Sequence, residues 1–165
     1  MTSFDYLDVA AKLAPLGTAL IALAAATIAW CAIRAQRDIA KRRAAIDFFL
    51  KTEMDNEIVA LYQKFRKIAP TLGSIPHMAT FATTDDYHHL RTFLNICELI
   101  AVGVNEGAFS ERVSWAYWGD ILPNAYKQAK PVIDFVRQTP SEGSAATYIE
   151  LQRLCEKWFT KMPKP

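Results

Sequence analysis

Apolar residues run without a charged position from Leu13 to Ile33, and beyond Ile33 they recur mainly at helical spacing. The unbroken run is 21 residues long, close to the about 20 that a helix needs to cross a bilayer core at about 1.5 Å per residue. It holds eight Ala and seven Leu or Ile, with Pro15, Gly17, Thr18 and Thr27 among them. Pro15 is expected in the first helical turn, where a missing N–H costs little. Trp30 stands near the C-terminal end, the place of an interfacial aromatic.

Downstream, no period-two alternation persists, so strands are not expected. Nothing breaks the helical pattern after Arg34. Ile39, Ile46, Leu50 and Met54 extend a long juxtamembrane helix to about residue 54. Asp55 and Asn56 suit a new start, followed by Ile58, Leu61, Tyr62, Phe65 and Ile68 on one face. Pro70, Gly73 and Pro76 mark 69–83 as the longest loop and the most mobile stretch. Thr84, with Asp85 and Asp86 behind it, starts a central helix over 84–103, closed by Gly103. That helix is apolar on nearly all sides, which places it at the centre of a bundle. Asn95, Glu98 and its short apolar length argue against a second span. Gly107 marks a turn, and Ser110 and Asp120 head two further helices. Pro131 is expected to kink or divide the second of these. Ser144 is expected to cap a last helix from Ala145 to about Lys161, with Tyr148, Leu151, Leu154, Cys155, Trp158 and Phe159 facing inward. The fold class is all-α: one N-terminal transmembrane helix continuing into a cytoplasmic antiparallel bundle of about five to six helices.

Charge assigns the orientation. Arg34, Arg37, Lys41, Arg42 and Arg43 follow the apolar run, whereas Asp5, Asp8 and Lys12 precede it. A cleaved signal peptide carries its positive residues before the apolar stretch, not after it. A soluble core helix with no charged position would need cover on every side. A retained anchor fits best. Positive flanks stay in the cytoplasm, so residues 1–12 are expected outside, 13–33 across the inner membrane and 34–165 inside. The basic collar sets topology and can also touch anionic lipid. Thr18, Ala22, Ala25, Ala29 and Ala32 form a seam of small residues, which would allow a homo-oligomer through the membrane helix.

Composition narrows the chemistry. Net charge is +2 and most of the excess sits in the collar, so no nucleic-acid footprint is expected. Cys31, Cys97 and Cys155 are odd in number and widely spaced, which speaks against disulfide or zinc frameworks. No nucleophile elbow, phosphate loop, zinc-protease or dinucleotide motif occurs, and no cofactor is implied. Asp85 with His88 or His89 has a spacing that could share a metal, but no third ligand follows; a solvated helix start is the better reading. Trp115 and Trp118 share a helix face and read as core rather than ligand box. Glu98 is the residue that stands out. With Asn95 and Arg91 it forms a polar stripe on a greasy helix. A buried carboxylate must pair, accept hydrogen bonds or take a proton. The expectation is a structural clamp to Arg37, Arg42, Arg43 or Arg137; the alternative is a catalytic or ion-handling carboxylate.

An N-terminal span, then IRAQRDIAKRRAAIDFF, FLNICELIAVGVNEGAFSE, an aromatic helix and a closing EKW together resemble the DUF4760 family of bacterial and phage-associated membrane proteins of unknown function. The resemblance covers most of the chain from about residue 33. It implies an anchored helical module and carries no catalytic residues. The functional expectation is a non-enzymatic interaction module at the inner face of a bacterial membrane, in contact with lipid and an unknown protein partner. The family's company suggests a phage- or prophage-linked role. The alternative is a membrane-bound enzyme using Glu98.

Overall fold

The structure is a computed structural model that describes residues 3–161, with side chains described from Ala11 onward. Seven α-helices and one 3-10 turn make up the fold, with no strand among the described residues: α1 (Ser3–Met54), α2 (Asn56–Ile68), the 3-10 turn (Ala69–Ser74), α3 (Met78–Phe81), α4 (Asp85–Asn105), α5 (Glu111–Trp118), α6 (Ile121–Gln138) and α7 (Ile149–Phe159). The chain divides into two units, one ending at Ala40 and one starting at Lys41.

The first unit is α1 alone. Its described residues through Ala40 are all exposed, and its apolar window has a mean hydropathy of 2.1 with none of it buried. Within that stretch the hydroxyls are already satisfied. Thr18 donates to the Ala14 carbonyl at 3.0 Å, and Thr27 to those of Leu23 and Ala24 at 3.1 and 2.8 Å. Because α1 begins at Ser3, Pro15 lies well inside the helix rather than in its first turn. Of the expected outer segment, Met1 and Thr2 lie outside the described residues.

The second unit has one core around α4. Tyr87, Leu90, Phe93, Leu94, Cys97, Ile100, Ala101 and Val104 are buried along it, and α2 and α7 pack against it. Phe65 of α2 stacks on Phe93 with ring centroids 4.7 Å apart. α6 contributes Leu122, Ala129, Val132, Ile133 and Val136, and α7 contributes Leu151, Leu154 and Trp158. Ala45, Phe49 and Thr52 are the residues of α1 buried in this core. Asp55 caps α2 by accepting the N–H groups of Glu57 and Ile58, and Thr84 caps α4 through the N–H of Tyr87.

Several expectations are corrected. Residues 69–83 are not an open loop: the 3-10 turn and α3 occupy them, and Ala69 and Leu72 are buried. Gly103 does not close α4, which runs on to Asn105. Glycine is needed there for space, because a Cβ would lie 2.5 Å from the Phe109 ring. The left-handed turn residue is Gly107, at φ +69°. α6 runs through Pro131 as one helix and is not divided into two segments there. α7 starts at Ile149, four residues later than expected, and Phe159 is exposed.

Candidate functional site

Tyr87, Arg91, Asn95 and Glu98 recur every three or four residues and form one stripe on α4. The segment between α6 and α7 docks onto it. Arg91 donates from Nε to the Tyr148 hydroxyl at 2.8 Å and from Nη1 to the Tyr87 hydroxyl at 3.0 Å. It also reaches the Glu142 carboxylate at 3.2 Å and the Glu142 carbonyl at 3.3 Å. Tyr87 donates to the same Glu142 carboxylate at 2.6 Å, and Tyr148 donates to Asn95 Oδ1 at 3.0 Å. From the other side, Arg137 donates to the carbonyls of Thr147 and Tyr148 and to Gln152.

These bonds converge on a strained point. Tyr148 is the N-cap residue of α7 and has φ +60°, a conformation that bulky side chains rarely adopt. Its side chain caps nothing in α7. The first-turn N–H groups of α7 therefore need an acceptor from elsewhere. Glu98 supplies it, accepting the N–H of Glu150 at 3.2 Å and of Leu151 at 2.7 Å. A carboxylate at that place also meets the positive end of the helix dipole. Glu98 is thus a helix cap provided by a different helix.

This corrects the expected partner. Glu98 bonds backbone N–H groups and not an arginine; Arg137 is engaged with the carbonyls on the approach to α7. The helix terminus offers paired donors, and the charge of Arg137 nearby adds a smaller attraction without a direct bond. Burial still pushes the Glu98 carboxyl above its usual range, and the two N–H bonds only partly offset that. Burial also raises the Tyr148 phenol. Arg91 and Asn95 do join Glu98 at one site, whereas Tyr87, Glu142 and Tyr148 were not foreseen. Tyr87 could have been read from its place one turn before Arg91; Glu142 and Tyr148 had no local signal.

Elsewhere, Glu111 of α5 accepts from Lys157 and Lys161, both at 2.7 Å, and from the Trp158 indole at 3.3 Å. The two lysines hold its carboxyl down at about 2. The thiols of Cys97 and Cys155 are buried and pushed upward by that burial, Cys155 to about 12, so both stay protonated at neutral pH. His89 Nε2 lies 2.9 Å from Lys64 Nζ, and among the described residues no group of three or more His, Cys, Asp or Glu is placed to hold a metal. In the collar, Arg34 lies 5.5 Å from the Trp30 ring centre, and the Lys41 carbonyl accepts the Ser110 N–H at 3.2 Å. Arg37, Arg42 and Arg43 are exposed.

A family model described as a domain of unknown function, DUF4760, matches residues 19–158. The chain belongs to the DUF4760 family. The matched region takes in most of the apolar stretch of α1, the α4 stripe and α7 through Trp158. No curated protein and no solved structure matches the chain.

Proposed function

We propose that this DUF4760 protein is a single-pass protein of a bacterial inner membrane, with residues 34–165 in the cytoplasm as a non-enzymatic module that binds another protein. The observation that carries the reading is the apolar window of α1, with a mean hydropathy of 2.1 and no part of it buried. A core helix of that composition would be covered; this one leaves Leu20, Ile21 and Ile28 about two-thirds exposed or more. The collar from Arg34 to Arg43 supports a cytoplasmic C-terminus and contact with anionic lipid. A phage- or prophage-linked task fits such a module.

The enzyme reading has less support. Both Glu98 oxygens are committed to the first turn of α7. Three cavities, at Lys51–Glu57, at Ile46–Tyr117 and at Tyr62–Gln128, are lined by residues other than Glu98.

The test is a pair of fusions at Pro165, one reporter active only in the cytoplasm and one only in the periplasm. Cytoplasmic activity with periplasmic silence is expected; the reverse pattern overturns the orientation. Extraction of the membrane pellet with alkaline carbonate should leave the protein behind, and release into the wash overturns the anchor.

A further inference from the structure

α2 and α6 both pack on the 3-10 turn Ala69–Ser74, and a cleft of about 350 Å³ opens between them. Its size is at the lower end of the about 300–1,000 Å³ of small-molecule sites. Phe65 of α2 and Ala125 of α6, both buried, form an apolar floor. Tyr62 and Arg66 line one wall, and Asp120, Asn124 and Gln128 the other. Arg66 rests over the Tyr62 ring, 6.0 Å from its centre, and forms no hydrogen bond or ion pair with a described residue. Asp120 holds the N-cap position of α6 without capping it. Its carboxylate and the side-chain amides of Asn124 and Gln128 likewise bond to no described residue. Elsewhere in this unit, opposite charges brought together from separate segments close on each other, as Arg91 and Glu142 do, and Lys157 and Glu111. Arg66 and Asp120 line one cleft and form no such pair.

We propose that this cleft binds a small zwitterion of the amino-acid class, with its carboxylate on Arg66 and its ammonium on Asp120. Charge selects the class. A lone anion drawn to Arg66 meets the Asp120 carboxylate, and a lone cation drawn to Asp120 meets the guanidinium. A molecule carrying both charges is attracted at both walls. The guanidinium presents a planar fork that matches a carboxylate, and charge-assisted bonds of this kind are the strong ones. Asn124 and Gln128 lie four residues apart on α6. Their amides can donate to the carboxylate or accept from the ammonium. The floor of Phe65 and Ala125, with the Tyr62 ring, suits an apolar side chain on the ligand. The site lies wholly in the second unit and does not depend on the membrane anchor.

Calorimetric titration of the full chain in detergent with L-leucine tests the site, and saturable binding is expected. N-acetyl-L-leucine lacks the ammonium and L-leucinamide lacks the carboxylate. Each should bind about tenfold more weakly or worse, the loss expected for one charge-assisted hydrogen bond. Arg66→Gln should weaken leucine by a similar factor and remove the preference for leucine over leucinamide. Asp120→Asn should weaken leucine likewise and remove the preference over N-acetyl-L-leucine. Both positions are exposed, so folding is spared. Lys127→Gln, exposed on α6 outside the cleft, should leave the affinity unchanged. Either blocked analogue binding as tightly as leucine overturns the zwitterion class. No saturable binding of L-leucine or L-phenylalanine at about 10 mM, or leucine binding that survives both substitutions, overturns the site.

Discussion

At the scale of single residues, three positions have roles that make measurable differences. Glu98→Ala leaves two N–H groups of α7 without an acceptor, and loss of a cap costs about 0.5–2 kcal/mol. That is less than the about 3–5 kcal/mol expected for stranding a buried arginine. Urea melts should therefore show a moderate loss; one near 4 kcal/mol would mean that Glu98 neutralises a charge. Its carboxyl is raised by burial, so the folded state holds the proton more tightly than the unfolded chain. The resulting stability is complete below the ordinary carboxylate range and is lost as pH rises through the folded value. Glu98→Gln should flatten that part of the pH profile. Glu111 has the opposite sign. Its carboxyl is held at about 2, so its contribution is present above the ordinary carboxylate range and is lost as pH falls toward 2. Glu111→Gln should be less stable than wild type at pH 7 by about 0.2–1 kcal/mol for each exposed lysine pair, with the gap closing in acid and in high salt. Gly103→Ala sets about 1 kcal/mol of helix propensity against about 1–3 kcal/mol of overpacking on Phe109. A net loss is expected, and Phe109→Ala in the same chain should recover part of it; simple additivity of the two losses would contradict the close contact.

At the scale of elements, α7 is held by what precedes it. Its N-cap has a left-handed backbone and no cap of its own, and α4 and α6 supply acceptors and donors on either side. Arg91 is the joint of that arrangement, since it binds Tyr87, Glu142 and Tyr148 together. Arg91→Ala should cost about 1.5–3 kcal/mol, the range for hydrogen bonds to a charged group. Amide exchange should rise first over residues 139–151, while α4 keeps its protection. Uniform loss of protection would show that the segment and the core open together. α1 makes the complementary point. Apolar spacing along it reveals a helix, but the side that enters the core is Ala45, Phe49 and Thr52, flanked by the exposed Ile46 and Leu50.

At the scale of the whole molecule, the second unit begins at Lys41 and has its own core. A fragment of residues 34–165 should be strongly helical and melt cooperatively, because α4 is covered by α2 and α7 without help from the apolar stretch before Ala40. Far-UV circular dichroism with a thermal melt checks this; a weakly helical, gradual trace would mean that residues before 34 complete the core. The fragment still exposes Ile46, Leu50 and Met54, so it should self-associate as its concentration rises.

The all-α class, the long apolar N-terminal helix and the family were legible in the residues, because apolar period, charge asymmetry and helix caps such as Asp55 and Thr84 act over a few neighbouring positions. The polar stripe of Arg91, Asn95 and Glu98 was legible for the same reason: a charge on a greasy helix is a local anomaly that demands a partner. Which partner was not legible. Glu98 meets N–H groups some fifty positions away, at a helix start displaced by the backbone of Tyr148. Gly103 reads as a helix end until the Phe109 ring is found against it. Ile46 and Leu50 mark a helical period, but that Phe49 and not they enters the core is decided by packing. Local chemistry states that a group must be satisfied or an apolar face covered; only the packing of distant segments decides by what.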